Sequence, residues 1–398
     1  MNILYIAMCA PYSTVSHAGG QTLNYYINKM ANDKTVVVDL MTYCTEEIVS
    51  KLYDDLKNIN VHLIIRHYNL KNIVRDILSL NSKINPFYKY CNLMTWNASD
   101  LLLRSLEKLR NKGYKPDTII MEWTQITLQI DEIMRIFPDA KYVASEHDVT
   151  FLAMQRKAEY EKNPIKKLYK NLQAQNTCKR EINALHKCDL VITHNEKDKQ
   201  LLTMYGLNEK TIFSLVPYFH QSQIEYHRTN NDILFFGYMR RNENVIAAKW
   251  FIDNVMPLIS DLPCRFIVIG GGINEDIKSW ANNRVIITGY VPTIDDYFAH
   301  AMCFVSPLLL GAGIKVKVLE ALYTGIPVLT NSIGIEGIPA EKDIDYYHCE
   351  LAEDYERIIR KLFHYKLNQI YASGKKFMEK QFSLDNSFEQ YSMILKNN

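Results

Sequence analysis

Several features that would assign a protein to a class directly are missing from this sequence. It contains no run of 18 apolar residues, which argues against a transmembrane helix. Its eight cysteines form no CxxC pair and its histidines do not cluster, so we expect reduced cysteines rather than disulfides or a metal site. Its formal net charge is only +2, which gives no basis for a nucleic-acid partner. No internal repeat or low-complexity tract occurs.

The composition is typical of a soluble globular protein. Hydrophobic residues make up 47% and charged residues 23% of the 398 residues. This length exceeds one ordinary hydrophobic core, so two domains are expected. The apolar start of the chain lacks the basic segment of a signal peptide and predicts a first strand. We therefore expect a cytoplasmic protein.

Short apolar strands and amphipathic helices alternate along both halves of the chain. The alternation runs through residues 2–206 and resumes at 233, after a polar stretch without periodicity. This pattern predicts an α/β protein with parallel sheets and right-handed crossovers. Two doubly wound domains of this kind are expected to face each other across a cleft that binds ligands. One predicted helix, Ile165–Leu185, is amphipathic, with apolar residues at positions 165, 168, 172, 182 and 185.

The most informative stretch is Ser306–Ile338, which predicts strand, glycine loop, helix, turn, strand and second loop. Glycines in the first loop allow the backbone to turn tightly and approach a ligand closely. The helix after it, predicted over Ile314–Tyr323, presents unpaired N–H groups at the positive end of its dipole. Lys315 and Lys317 add cations where a helix prefers acids, so an external anion is expected, and Glu320 can bind hydroxyls beside it. A diphosphate attached to a ribose satisfies these features; a βαβ unit with solvated lysines is the alternative.

These segments resemble a known family. The resemblance rests on ILFFGYM, FIVIGGG, ITGYV, FVSPLLLGAGIKVKVLEALYTGIPVLT and IGIEGI, in that order, over about residues 233–338. They are similar to the retaining nucleotide-sugar glycosyltransferases of family 4, which have the GT-B architecture of two Rossmann-like domains. The resemblance implies an acceptor-binding domain at 1–218, a linker at 219–231 and a donor-binding domain at 232–376. It also implies that a terminal helix within 377–398 crosses back onto the first domain.

The resemblance assigns roles in the helix after the glycine loop. Glu320 matches the second glutamate of the family's E-x7-E element and would bind the ribose of the donor. The first glutamate would stand at 312, where this chain has alanine, so the backbone of Gly313 and Ile314 would take over part of its contact with the sugar. Lys317 and Lys315 match basic positions that would face the diphosphate. Gly311 belongs to the same donor loop.

Further donor-side candidates lie where other predicted strands end. Arg240 and Arg241 follow ILFFGYM, where the family has a basic phosphate contact, although a solvated arginine pair is the alternative. The glycine run after FIVI lacks the spacing of a complete dinucleotide fingerprint. The segment ITGYV ends with Gly289, Tyr290 and Val291, for which a role in the ordinary core is an equal alternative to donor contact. The loop candidates for donor binding are Gly270, Gly271, Gly289, Tyr290, Val291 and Glu336.

The N-terminal half contributes its own candidates. Gly19 and Gly20 open the first helix, so their N–H groups are predicted to face phosphate, with a simple turn as the alternative. His147 and Asp148 end a strand and are predicted to be catalytic, although a lone histidine is often structural. Glu122 ends another strand and is predicted to contact the acceptor.

The predicted chemistry is transfer of a sugar from a nucleoside diphosphate sugar to a saccharide or a lipid-linked saccharide. No metal or cofactor is expected, because Arg240, Arg241 and Lys317 are assigned to the leaving diphosphate; Asp343 and Asp345 are interpreted as surface acids. A nucleotide-sugar 2-epimerase and a non-catalytic nucleotide-sugar-binding subunit are the rival functions. Residues 70–90 mix basic and apolar side chains, which raises peripheral contact with the inner face of the cytoplasmic membrane as an alternative to an ordinary helix pair.

Overall fold

The structure is a computed structural model that describes residues 1–65, 85–91, 93–364 and 369–397. The chain forms two compact units. Unit 1 contains Met1–Pro217 and Asp385–Asn398, and unit 2 contains Tyr218–Leu384. Most of the segment 70–90 considered for membrane contact lies outside the described residues.

Unit 1 is built on a seven-stranded, fully parallel sheet with the strand order β3-β2-β1-β4-β5-β6-β7. The order reverses between β1 and β4, which makes their carboxyl ends the topological switch point where such sheets bind ligands. The strands are β1 Asn2–Ala7, β2 Val37–Cys44, β3 Asn60–Ile65, β4 Thr118–Glu122, β5 Lys141–Ser145, β6 Leu190–Thr193 and β7 Ile212–Ser214.

The central strand shows why the sheet is parallel and covered on both faces. All five residues from Ile3 to Ala7 are fully buried, which is the continuous apolar run expected of such a strand. Alternate residues enter different cores. Ile3 and Tyr5 pack in one hydrophobic cluster with the helices Ala18–Ala31 and Val49–Asp55 and with the last helix of the chain. Leu4 packs in another cluster with the helices Trp96–Asn111 and Ile130–Ile136.

Among the described residues of unit 1, eight helices lie between Ala18 and Met204, and a further helix returns to the unit from the C-terminal end. Side-chain caps mark several of their starts, as at Asn163, which accepts hydrogen bonds from Ile165 and Lys166. The described helices are α1 Ala18–Ala31, α2 Val49–Asp55, α3 Trp96–Asn111, α4 Thr124–Thr127, α5 Ile130–Ile136, α6 Thr150–Glu159, α7 Pro164–Leu185 and α8 Glu196–Met204, with short 3₁₀ turns at Glu46–Ile48 and Glu209–Thr211.

Unit 2 contains a six-stranded parallel sheet with the order β10-β9-β8-β11-β12-β13, so its switch point lies between β8 and β11. One hydrophobic core covers this sheet and its helices. The strands are β8 Asp232–Phe236, β9 Arg265–Ile269, β10 Val285–Gly289, β11 Cys303–Ser306, β12 Val328–Thr330 and β13 Tyr347–His348. The helices are α9 Asn242–Asn254, α10 Glu275–Lys278, α11 Asp295–His300, α12 Val316–Thr324, α13 Ala352–His364 and α14 Gln369–Gln381.

The segment predicted as a linker, 219–231, belongs to unit 2 in the structure. His227 donates a backbone hydrogen bond to Ala299, and the Arg228 guanidinium donates to the carbonyl of Leu362. These bonds account for the lack of periodicity, since the segment is held by specific contacts rather than by an apolar stripe.

The last helix, α15 Leu384–Asn397, packs on unit 1. The hydroxyl groups of Tyr391 and Tyr5 lie 3.0 Å apart, and Ser387 accepts a hydrogen bond from Tyr26. The terminal segment was expected within 377–398; in the structure, residues 377–384 belong to unit 2, and the part that belongs to unit 1 begins at Asp385. Within the described part of the chain, no helix combines the length and apolarity needed to cross a membrane.

Candidate functional site

The carboxyl ends of the unit 2 strands gather most of the donor-side candidates. Arg240 and Arg241 follow β8, Gly270 and Gly271 follow β9, and the loop before α12 follows β11. Because the strands are parallel, these loops emerge at the same edge of the sheet. These candidates therefore lie on neighbouring loops of one unit.

The loop before α12 takes its shape from two glycines. Gly311 has φ 125° and Gly313 has φ 67°, backbone conformations that side-chain-bearing residues adopt at a cost. α12 then begins at Val316, two residues later than predicted, and ends at Thr324 before Gly325, which has φ 83°. Lys315 occupies the N-cap position, and its side chain accepts no hydrogen bond from the backbone N–H groups of the first turn.

The two lysines at this helix end have different environments. The ammonium of Lys315 lies 3.7 Å from the Glu336 carboxylate and donates to the carbonyl oxygens of Ala312, at 3.2 Å, and Gly313. This lysine therefore holds the glycine loop to the loop after β12 and is balanced by a carboxylate of the protein. Ile314, between Gly313 and Lys315 in the sequence, is partly exposed.

Lys317 instead meets a neutral partner. Its ammonium donates to the Asn244 side-chain oxygen at 2.8 Å and lies 4.4 Å from the centre of the Phe235 ring. Burial lowers the pKa of Lys317 to about 7, and the positive charges of Arg241 and Lys315 lower it further. A bound anion would favour the charged form of this side chain.

Asn244 is a site residue that the sequence analysis did not identify. Its amide nitrogen donates to the carbonyl of Tyr238 at 2.9 Å, while its oxygen accepts from Lys317. It thus ties the loop after β8 to the start of α12. No local signal distinguishes it, because an asparagine in the first turn of a helix is common on surfaces.

The arginine pair lies on this same loop. Arg240 and Arg241 are both exposed, and the Arg241 guanidinium is 3.9 Å from the Glu243 carboxylate. Gly272 packs against Arg240, since a Cβ at this glycine would lie 2.8 Å from Arg240 Cγ. The arginines are therefore available to a ligand at the rim of the strand ends.

The glycine run after β9 serves close packing between loops. A Cβ on Gly270 would lie 1.9 Å from the carbonyl oxygen of Gly237, which excludes any side chain there. Backbone hydrogen bonds link Gly270 to Gly289 at 2.9 Å and Met239 to Gly271 at 2.8 Å. Three adjacent loops are thereby joined by their backbones. Tyr290, predicted to bind the donor, is 78% exposed, and Val291 beside it is partly exposed.

Glu320 lies one turn into α12 and is buried. One of its carboxylate oxygens accepts the backbone N–H of His220 at 3.2 Å. Burial raises the pKa of Glu320 to about 7, and the charge of Asp295 adds to the rise although the His220 bond opposes it. The side chain can therefore accept or donate hydrogen bonds near neutral pH.

The loop after β12 contains a second group that the sequence analysis missed. Asn331 is buried, donates to the carbonyl of Leu308 at 2.7 Å and accepts from the Gly334 N–H at 2.9 Å. A Cβ on Gly334 would lie 1.9 Å from the Thr330 hydroxyl. This packing fixes the loop that carries Glu336.

The strand ends of unit 1 form a separate group around His147. Its Nε2 lies 2.9 Å from a carboxylate oxygen of Glu122, and its ring stacks on Trp123 with centroids 4.6 Å apart. The His194 ring also packs against the His147 ring, with their centroids 4.7 Å apart. Trp123 has φ 69°, a strained conformation for a residue with a side chain, next to the switch point. Neither Trp123 nor His194 was predicted.

Burial controls protonation in this group. It lowers the pKa of His147 and of His194 to about 3 and raises the pKa of Glu122 to about 7, so both imidazoles are neutral at neutral pH. His194 Nδ1 donates to the carbonyl of Leu215 at 3.0 Å, and its Nε2 is buried without a hydrogen-bond partner among the described atoms. Glu122 was predicted to contact an acceptor. In the structure it is buried and contacts His147.

The first helix of unit 1 contributes one glycine beside His147. A Cβ on Gly19 would lie 3.1 Å from His147 Nδ1, tighter than an ordinary contact, so glycine lets the start of α1 pack closely against this ring. The N–H of Gly20, predicted to face phosphate, instead donates to the His17 ring at 2.9 Å and caps the helix. Asp148 follows His147 and is partly exposed.

Metal-ligating side chains do not gather in the described part of the chain: no group of three or more histidines, cysteines or acids is placed to hold an ion. Asp343 is exposed, but the interpretation of Asp345 as a surface acid was wrong. Its carboxylate is buried and accepts hydrogen bonds from Ser373, at 2.6 Å, and from the Glu341 N–H, at 2.9 Å.

Comparisons with known proteins agree with this architecture. Residues 230–363 match the family model of glycosyl transferases group 1, and residues 122–215 match that of the glucosyltransferase 3-like N-terminal domain. An uncharacterised 44.6 kDa protein in the cps region of Klebsiella pneumoniae is 28% identical over 173 residues. This match covers 40% of the chain and 42% of that relative's length.

Solved structures show the same fold at low identity. Anabaena HepE, crystallised with UDP, is 12% identical with a TM-score of 0.69 and complete coverage of both chains. Sucrose-phosphate synthase from Thermosynechococcus elongatus is 11% identical with a TM-score of 0.73, covering 100% of this chain and 98% of that one. The two parallel-sheet α/β units of the chain thus have the fold of these GT-B glycosyltransferase structures, and residues 230–363 of unit 2 match the model of glycosyl transferases group 1.

Proposed function

We propose that the chain is a retaining, family 4 type glycosyltransferase that moves a sugar from a nucleoside diphosphate sugar to an acceptor hydroxyl. The observation that carries this proposal is the environment of Lys317, a partly buried cation beside a helix start whose closest polar partner is the neutral Asn244. Arg241 and Lys315 lie near enough to lower its pKa. Such a cluster suits a ligand with more than one negative charge.

In this mechanism the diphosphate binds at the start of α12. Lys317 and the arginines that follow β8 stabilise the charge that grows on the leaving diphosphate, which is the largest contribution expected in this chemistry. Glu320 binds the ribose hydroxyls. The backbone of Gly311, Gly313 and Ile314 lies against the sugar, where Ala312 replaces the glutamate of the wider family.

Retention needs no protein nucleophile in a front-face reaction. The departing phosphate oxygen accepts the proton of the acceptor hydroxyl as the new glycosidic bond forms on the same face of the sugar. Because protein cations are assigned to the leaving group, we expect turnover to persist in a chelator. No cofactor is assigned.

Unit 1 is assigned to the acceptor. We propose that His147 Nδ1 binds one hydroxyl of the acceptor and that Asp148 binds a neighbouring hydroxyl. Glu122 sets the tautomer of His147: an ionised Glu122 accepts from Nε2–H, which leaves Nδ1 as an acceptor. The acceptor is a saccharide or a lipid-linked saccharide, in cell-surface polysaccharide or glycoconjugate synthesis.

A donor panel tests the proposal and its rivals. The protein is incubated with UDP-, GDP- and ADP-sugars, with and without saccharide acceptors, and released nucleotide and product mass are measured. Acceptor-dependent release supports transfer, and NMR of the product's anomeric carbon tests retention. A 2-epimer without nucleotide release would establish the epimerase, and binding without turnover a non-catalytic subunit.

Variants tie any activity to the proposed site. Lys317→Ala should abolish nucleotide binding, whereas Lys249→Ala, on the exposed side of α9 and paired with Asp253, should behave as the parent. Equal binding by both variants would place the diphosphate elsewhere.

A further inference from the structure

The first half of α7 projects beyond the core of unit 1. The five buried residues of this 22-residue helix all lie at Ala174 or later, although the helix begins at Pro164. Ten residues therefore precede the first buried one, which is about 15 Å of helix. α7 pairs with α6, and the turn between the two helices forms the end of a helical hairpin.

The projecting half of α7 has an apolar stripe of the kind that is typical of a helix packed against a core. Ile165, Leu168, Tyr169 and Leu172 follow the spacing i, i+3, i+4, i+7 and share one face. The pattern predicts a core-facing helix, yet Ile165 is 79% and Leu168 62% exposed. Tyr160, in the turn, is 45% exposed. Tyr169 and Leu172 are partly buried, so it is the outer part of this face, Ile165 and Leu168, that no core of unit 1 covers.

Basic side chains surround the stripe. Residues 156–170 carry a net charge of +4, twice that of the whole chain. Only two acids lie among them, and Glu161 pairs with Lys170 at 2.6 Å. The basic residues of the segment are Arg156, Lys157, Lys162, Lys166, Lys167 and Lys170.

We propose that this basic hairpin, residues 156–172, docks on an anionic lipid surface. Lysines around a few exposed apolar side chains suit a shallow position, with the apolar groups below the lipid headgroups and the ammonium groups among the phosphates. A second copy of the chain is disfavoured, because it would bring two strongly positive segments together. A protein interface of ordinary size buries about 800 Å² on each partner, more than three exposed apolar side chains supply.

The test is flotation of the full chain with vesicles of phosphatidylcholine, and with vesicles of equal parts phosphatidylcholine and phosphatidylglycerol. The protein should float with the second kind only, and salt should release it. Lys162→Ala with Lys166→Ala should weaken binding by roughly 25-fold, since each lysine near an anionic membrane contributes about fivefold. Ile165→Ser with Leu168→Ser should also weaken it.

Matched controls lie in unit 2. Lys249→Ala with Lys278→Ala removes two exposed lysines, and Leu351→Ser removes an apolar side chain that is 65% exposed; both should float as the parent does. Circular dichroism confirms that each variant is folded. Glycosyl transfer to a soluble saccharide, which does not depend on lipid, should be unchanged in the hairpin variants.

Three results would overturn the inference. The parent protein could remain in solution with anionic vesicles, or the hairpin variants could bind as tightly as the parent. A parent that is dimeric in light scattering, with a monomeric Ile165→Ser, Leu168→Ser variant, would assign the stripe to self-association. The inference does not rest on the proposed function, because vesicle binding is measured without a donor sugar.

Discussion

Replacing Lys317 by methionine should stabilise the free protein while it removes diphosphate binding. Burial lowers the pKa of Lys317 to about 7 from 10.5 in the unfolded chain. The unfolded state therefore binds more protons than the folded state between these pH values. Stability accordingly rises with pH through this window, and the charged form of the side chain costs free energy at its lower end.

The size of the stabilisation follows from the two pKa values of Lys317, about 7 in the folded protein and 10.5 in the unfolded chain. One pKa unit corresponds to about 1.4 kcal/mol, so the full difference sets an upper bound of about 5 kcal/mol. Partial exposure of Lys317 reduces this bound. Methionine also leaves the Asn244 oxygen without its donor, at a cost of about 1–3 kcal/mol. A net stabilisation of roughly 1–2 kcal/mol at neutral pH remains.

Urea unfolding at several pH values measures the effect. The advantage of Lys317→Met over the parent should shrink as the pH rises from neutral towards 10.5. Lys315→Met is the matched control with the opposite sign, because it leaves the Glu336 carboxylate without its cation. A destabilised Lys317→Met protein with no pH trend would refute the reasoning.

Three further predictions concern the same unit. In calorimetry at pH 8, with buffers of different ionisation enthalpy, binding of the nucleoside diphosphate that the donor panel identifies should take up about 0.9 proton per site, because Lys317 becomes charged; no uptake would contradict this assignment. Asn244→Asp should raise the pKa of Lys317 and so remove most of this uptake while keeping the fold, whereas unchanged uptake would show that Asn244 does not control the lysine. Gly270→Ala should cost at least about 3 kcal/mol in urea unfolding, since its Cβ would lie 1.9 Å from the Gly237 oxygen. Gly271→Ala, with its nearest contact at 3.8 Å, should cost far less, and equal losses would rule out the clash as the cause.

The architecture was predictable because parallel sheets covered on both faces use continuous apolar strands. Such runs mark β1 and β9 directly in the sequence. The loop and helix around α12 were predicted within two residues at the start, since glycines at both ends mark them. The terminal helix was expected from the resemblance alone, and its packing on Tyr5 and Tyr26 is a finding of the structure.

The side-chain partnerships could not be predicted, because they join residues far apart in the chain. Lys317 and Asn244 are 73 positions apart, and nothing near either residue indicates the other. The same holds for Glu122 and His147, 25 positions apart. For the apolar stripe of α7, the sequence pattern was clear but its meaning was different. Its periodicity is typical of a buried helix, whereas the structure leaves the first half of the helix outside the core.

The return of α15 to unit 1 has a consequence for synthesis on the ribosome. Unit 2 is one continuous segment, whereas unit 1 needs Tyr391 to complete the core around Tyr5 and Tyr26. Domains usually mature in the order in which they emerge, but here the second can finish first. A released chain truncated after Leu384 should thus contain a protease-resistant unit 2 while the earlier half is still cleaved.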